Sequence, residues 1–319
     1  MDNIKTKEYR VATTSEISND RILLGNNYAH LDGDGNLSAI ALQSDQPQQA
    51  SASDITNSRL LLEDPYAHLD EDAANGYSAL PNSIVKIEKK KEHYSINEIE
   101  QRAINLQKLM WKNRQKIWPN IASPKPISIL DPIVAFSLIE YDCDTEQNLG
   151  EFIVDGKFIE AAGIIDITAK KVRISRQFKP NIQRFTAAHE LGHAMLHTGT
   201  GLHRDKPLDG ITKSSEHKEF EANKFAIFFL MPSKLVRTTF KNHFLTEEFA
   251  INEATALALG FNSSVELKRK YKTQRDLSRM LVAATQFNGR HFNSLATQFN
   301  VSNETMAIRL EELNLLSIG

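Results

Sequence analysis

Phe185-Thr186-Ala187-Ala188-His189-Glu190-Leu191-Gly192-His193 is the stretch on which the reading of this chain turns. Its last five residues have the form H-E-x-x-H. On a helix, histidines four positions apart lie one turn apart on the same side, so both imidazoles can reach one Zn²⁺. Glu190, beside the first histidine, stands where a carboxylate can take a proton from water held by that ion. The flanks agree with a helix. Ala187, Ala188, Leu191, Ala194, Met195 and Leu196 are good formers, and Gly199 supplies a stop.

A metal site of this kind needs a third ligand. His197 follows His193 by four residues and not by the six of the metzincin pattern. Three histidines at successive four-residue steps span about 12 Å of helix axis, too far for the outer two to share an ion. His197 is therefore expected to pack or hydrogen-bond behind the site. The better ligand lies downstream, where His217 to Ala226 reads as a second helix. Glu219 and Asn223 share a face of it. A carboxylate from this helix, facing two histidines from the first, makes a His₂Glu set with an open fourth position, as in catalytic zinc sites. Asn223 can then hydrogen-bond the free ring nitrogen of a ligand histidine. Glu221 points roughly 200° away from Glu219 and is the weaker choice.

Upstream, Ser95 and Glu98 form a capping box, and apolar residues recur at helical spacing at Ile96, Ile99, Ala103, Leu106, Met110 and Ile117, before Pro119 ends the helix. Lys89-Lys90-Lys91 reads as a solvated charge run. Strand-like runs follow at Ile133–Tyr141, Gly150–Val154, Ala161–Ile167 and Lys171–Ser175, which predicts a small sheet. Beyond the second ligand helix, Asp276 to Thr285 reads as a helix. Phe292–Ser302 and Asn303–Leu313 then have the helix-turn-helix pattern, with Asn300 at the turn and Ser302 as a cap. The second of these helices offers Arg309 against Glu304, Glu311 and Glu312. That balance argues against DNA binding and for a module that packs on the catalytic part or meets a protein substrate.

Composition bounds the alternatives. The chain has 319 residues with 38 Lys+Arg against 40 Asp+Glu, so bulk charge suggests neither a nucleic-acid binder nor a membrane-surface protein. Near neutrality conceals two segments, because residues 1–80 carry 5 basic and 13 acidic side chains and the rest is net basic. The first segment is polar and sparsely apolar, which predicts a mostly disordered tail. It repeats itself at an offset of 38: Asn19-Asp20-Arg21-Ile22-Leu23-Leu24 running to Tyr28-Ala29-His30-Leu31-Asp32 returns as Asn57-Ser58-Arg59-Leu60-Leu61-Leu62 running to Tyr66-Ala67-His68-Leu69-Asp70. Two copies are too few for a solenoid, and a short motif that docks a partner is the sharper reading. The longest apolar stretch, Ala226 to Pro232, is far too short to span a bilayer, and the first residues show no secretory signal. Cys143 is the single cysteine, which excludes an intramolecular disulfide framework and cysteine-rich zinc fingers. A cytoplasmic protein without a membrane partner is the expectation.

Arg184 to His197 resembles the signature of the ImmA/IrrE family of metallo-endopeptidases. So does Leu202-His203-Arg204-Asp205 followed by Asp209-Gly210. Glu219-Phe220-Glu221-Ala222-Asn223-Lys224-Phe225-Ala226, with Leu230-Met231-Pro232, is similar to that family's second motif. The resemblance covers residues 160–232 closely and 95–319 more loosely, and it leaves out residues 1–80. It implies Zn²⁺ held by His189, His193 and Glu219, with Glu190 as the catalytic base. It also implies a substrate that is a helix-turn-helix repressor or antitoxin-like regulator. His197, His203 and Arg204 are candidate donors to the oxyanion of the tetrahedral intermediate.

The expected fold class is α+β: a zincin-like core of a small sheet, the H-E-x-x-H helix and a second ligand helix. A helix-turn-helix-like helical module follows it. The expected segments are a disordered acidic tail over 1–83, a helix and linker over 84–125, a metallopeptidase core over 126–240 and the helical module over 241–319. The rival reading is a non-enzymatic regulator acting through the C-terminal helices. The intact Glu190 speaks against it, because a structural metal site has no use for a base.

Overall fold

The computed structural model describes residues 90–121, 124–154, 157–198, 202–204 and 213–317, with the backbone alone for 152–154, 157–159, 202–204 and 213–216. The acidic tail and its repeat lie outside the described residues. In chain order the helices are α1 (Ile96–Lys112), α2 (Arg114–Ile117), α3 (Pro132–Leu138), α4 (Pro180–Leu196), α5 (Lys213–Leu230), α6 (Ser233–Phe244), α7 (Glu253–Ala258), α8 (Ser264–Lys270), α9 (Gln274–Ala283), α10 (Leu295–Phe299) and α11 (Asn303–Glu312). The strands are β1 (Asp142–Glu146), β2 (Glu151–Val154), β3 (Lys157–Glu160), β4 (Gly163–Asp166), β5 (Lys171–Ser175), β6 (Leu202–Arg204), β7 (Phe249–Ala250), β8 (Gln286–Phe287), β9 (Arg290–His291) and β10 (Leu316–Ser317). The fold class is mixed α+β.

α1 begins where the capping box places it. The Ser95 amide donates to the Glu98 carboxylate at 2.9 Å, and the Glu98 amide returns to the Ser95 hydroxyl at 3.4 Å. Ile99, Ala103, Leu106 and Met110 are buried, whereas Ile96, expected among them, is 49% exposed. α1 packs against α5, and Gln107, fully buried, donates to the carbonyls of Phe228 and Phe229 at 2.9 and 3.1 Å. Those are last-turn carbonyls of α5, which no helical amide can reach, so Gln107 supplies the missing donor.

Pro132–Leu138 is a helix, where a strand over Ile133–Tyr141 is expected. The Asp131 carboxylate accepts from the amides of Ile133 and Val134, and Pro132 occupies the first helical position. This start signal overrides the apolar, β-branched composition that suggested a strand.

The four-stranded sheet has the order β1-β5-β4-β6. β1 runs parallel to β5, with Asp142 opposite Lys171, and β4 and β6 are antiparallel to their neighbours. Alternation is clean on the middle strands: Gly163, Ile165, Val172 and Ile174 are buried, and α4 packs on β4 and β5. β2 and β3 form a separate hairpin. The core thus holds α4 between the sheet and α5, so residues Phe185 to Leu196 are buried on every side.

Beyond α6 the chain is mostly helical. α9 packs on α11, and a two-residue parallel pairing of β7 with β10 fastens the end of the described chain to the exit from α6. Asn300 adopts left-handed backbone (φ 49°, ψ 53°) between α10 and α11, and the Ser302 hydroxyl accepts the Thr305 amide at 3.0 Å. Among the described residues, no helix is long and apolar enough to cross a membrane.

Candidate metal centre

α4 carries His189, Glu190 and His193, and α5 carries Glu219 and Asn223. The two helices touch because Gly192 has no side chain. A Cβ there would stand 2.8 Å from the Ala222 carbonyl oxygen and 2.9 Å from the Ala222 Cα. On the other flank of α4, a Cβ on Gly163 of β4 would stand 2.6 Å from a methyl of Thr186 and 2.7 Å from a carboxylate oxygen of Glu190. Two bare positions therefore let the sheet and α5 close on the same helix.

This closure brings three ligand-type groups together. His189 Nε2 lies 3.0 Å from His193 Nε2 and 3.1 Å from one oxygen of Glu219, and His193 Nε2 lies 3.4 Å from the other oxygen. Around a four-coordinate ion with bonds of about 2.1 Å, neighbouring ligand atoms are about 3.4 Å apart. The residues present fit such an ion. The histidine side chains are buried, and that of Glu219 is 15% exposed, so the cluster meets solvent on the α5 side.

The outer ring nitrogens have partners of their own. His189 Nδ1 donates to the Asn223 side-chain oxygen at 2.9 Å. His193 Nδ1 lies 2.9 Å from His197 Nδ1, and His197 Nε2 lies 2.9 Å from one oxygen of Glu221. Burial above all pushes the His197 imidazole down to about 2. His197 ends α4 with extended backbone, and its carbonyl accepts Lys90 Nζ at 2.7 Å. Lys90 is thus half-buried against the metal helix and not a solvated charge. Burial and then Arg102 lower its pKa.

The sequence reading misses Glu221, Tyr94 and Lys90 as contributors behind the site. Glu221 does face away from Glu219's partners, and there it accepts the Tyr94 amide at 2.7 Å on one oxygen while His197 meets the other. Its four-residue spacing from His217 is the available signal. Lys90 and Tyr94 offer no local pattern, because their partners are more than 100 positions away. Among the described residues, a second group, His93, His217 and Glu221, also brings ligand-type atoms within 4.8 Å of one another. Glu190 is buried against Gly163 at the next position to His189. The backbone of His203 and Arg204 lies in β6, paired with β4, and their side chains lie outside the described residues. Asp205, Asp209 and Gly210 also lie outside them.

Cys143 on β1 is not among the clustered ligand groups of the described residues. Burial and the carboxylates of Asp144, Asp131, Asp142 and Glu190 push its thiol up to about 12. In the C-terminal part, Arg309 is 3% exposed and donates to the Met231 carbonyl at 3.1 Å and the Ser233 hydroxyl at 2.8 Å. Glu304 and Glu311 are both bound by Arg275 of α9.

Residues 146–311 match the model of a peptidase family, Peptidase_M78, described as the IrrE N-terminal-like domain. No curated protein and no solved structure matches the chain.

Proposed function

The chain belongs to the M78 peptidase family, whose model covers more than half of it, and from that premise we propose that it is a zinc-dependent metallo-endopeptidase of the cytoplasm whose substrate is a DNA-binding repressor or antitoxin-like regulator. The observation that carries the chemistry is the convergence of His189, His193 and Glu219 at 3.0 to 3.4 Å, with Glu190 adjoining. Two imidazoles and one carboxylate suit zinc in a hydrolytic role, in which the fourth position takes water or substrate. When bound, zinc supplies Lewis acidity that polarises the scissile carbonyl and makes water acidic enough to lose a proton near neutral pH.

The protein's own groups do the rest. Asn223 and His197 hold the two imidazole rings so that their Nε2 lone pairs point to one place. Glu190 accepts the proton of the attacking water on its carboxylate and delivers it to the leaving amine nitrogen. The buried walls of α4 and the sheet keep other water from that carboxylate.

The proposed substrate rests on the family resemblance and on the character of the C-terminal helices. Arg309, the cation that α11 could offer to phosphates, is engaged by the Met231 carbonyl, Ser233 and Glu312, which supports a protein-facing module over a DNA-facing one. The test is cleavage of purified helix-turn-helix repressors by the zinc-loaded chain, read by mass spectrometry, beside Glu190→Gln. Removing the base is expected to slow cleavage by about 10²- to 10⁴-fold with bound metal unchanged. Cleavage by the variant at the wild-type rate would overturn the mechanism.

A further inference from the structure

We infer that Glu221 is a positioning residue for the metal centre: through His197 it fixes the hydrogen of His193 on Nδ1 and so presents the Nε2 lone pair to the ion. This rests on the proposed metal site and names a residue outside its ligand set.

The chain of contacts is continuous. One oxygen of Glu221 accepts the Tyr94 backbone amide at 2.7 Å, and the other faces His197 Nε2 at 2.9 Å. A carboxylate only accepts, so His197 must carry its hydrogen on Nε2. An ion on His193 Nε2 leaves that ring's one hydrogen on Nδ1, and the contact of 2.9 Å between the Nδ1 atoms of His193 and His197 then makes His197 Nδ1 its acceptor. With its hydrogen on Nδ1, His193 has a bare Nε2, the atom 3.0 Å from His189 Nε2 and 3.4 Å from Glu219. Asn223 does the same for His189 in one step, since its oxygen accepts from His189 Nδ1 at 2.9 Å. His193 needs two steps because Glu221 lies on the opposite face of α5 from Glu219.

Glu221 is fully buried, and the contacts that fix it come from three places: the chain before α1, the end of α4, and α5 itself, where His217 Nε2 lies 2.9 Å from the oxygen shared with Tyr94. Packing alone does not demand this arrangement, for an apolar side chain would fill the same space without setting a tautomer.

Glu221→Gln separates the two roles. The Tyr94 amide can only donate, so the Gln oxygen must face it, which turns the Gln NH₂ toward His197 Nε2. His197 then carries its hydrogen on Nδ1 and donates to His193, whose hydrogen moves to Nε2, the atom that should ligate. The variant is nearly isosteric and is expected to fold, with circular dichroism unchanged. Its zinc affinity, measured by competition with a chromophoric chelator, is expected to fall about 10- to 100-fold.

Long-range ¹H–¹⁵N spectra of the metal-free wild type should show hydrogen on His193 Nδ1 and His197 Nε2, and the variant should show both reversed. A wild type with hydrogen on His193 Nε2 overturns the inference even if the variant fails to fold. So does a folded variant that binds zinc within twofold of wild type. A wild type that binds no zinc at His189, His193 and Glu219 overturns the functional reading instead, so the two failures are distinct.

Discussion

Gly192→Ala puts the smallest side chain at the contact between the two ligand-bearing helices. Its methyl would start 2.8 Å from the Ala222 carbonyl oxygen, against 3.4 Å for ordinary contact, so one backbone must retreat by 0.6 Å. The obstacle is main chain, and no flexible side-chain end can move aside. Glu219 rides on that same helix, one turn from Ala222. A retreat of this size would widen its 3.1 and 3.4 Å separations from the imidazoles to about 3.7 and 4.0 Å, beyond the roughly 3.4 Å that a four-coordinate ion sets.

Two opposing terms act on stability. Replacing glycine inside a helix gains about 1 kcal/mol of propensity, and overpacking costs about 1–3 kcal/mol. The net effect on the metal-free melting temperature should be small and downward. Metal affinity feels only the second effect, and its expected loss is tenfold or more, about 1.4 kcal/mol. Chelator competition and calorimetric melting of metal-free protein measure both. A variant with wild-type zinc affinity would refute the claim that this contact sets the ligand geometry.

Two further outcomes are expected. Burial, then Arg290, holds His243 at about 4 against an ordinary 6.5, so folding favours its neutral form. Its contribution is complete above pH 6.5 and is lost as pH falls toward 4, roughly 3 kcal/mol in all. Denaturation across that range should show a pH-dependent loss that His243→Phe, stacked on Phe292 as the imidazole is, removes. Arg309→Met should lower stability by about 1–3 kcal/mol by leaving the Met231 carbonyl without its donor. Duplex-DNA affinity, measured at two salt concentrations, should not change.

The parts of the fold legible in the sequence are those with local causes. The Ser95–Glu98 box, the β5 alternation and the Asn300 turn each announce themselves within a few residues. α3 reads as a strand because its composition is strand-like, while the Asp131-Pro132 start signal that decides the matter is only two residues long. β1 goes unseen for the opposite reason. Asp142–Glu146 has no apolar alternation, and it becomes a strand through pairing with β5 and through the bonds of Arg173 to Glu146 and Arg176 to Thr145. At the site, helical spacing is enough to bring His189, His193, Glu219 and Asn223 to one place on paper. It does not show that the far face of α5 is also in use, since Tyr94 and His197 reach Glu221 only after the chain has folded.

What Gly163 gives the site is space. β4 approaches Glu190 so closely there that even one added carbon collides with the carboxylate. A saturation scan scored by activity should show losses at position 163, because any side chain there must displace the Thr186 methyl or the Glu190 carboxylate. The boundary of the active site drawn by tolerance to substitution thus runs wider than the boundary drawn by chemistry, and on the sheet side it is drawn by a hydrogen atom.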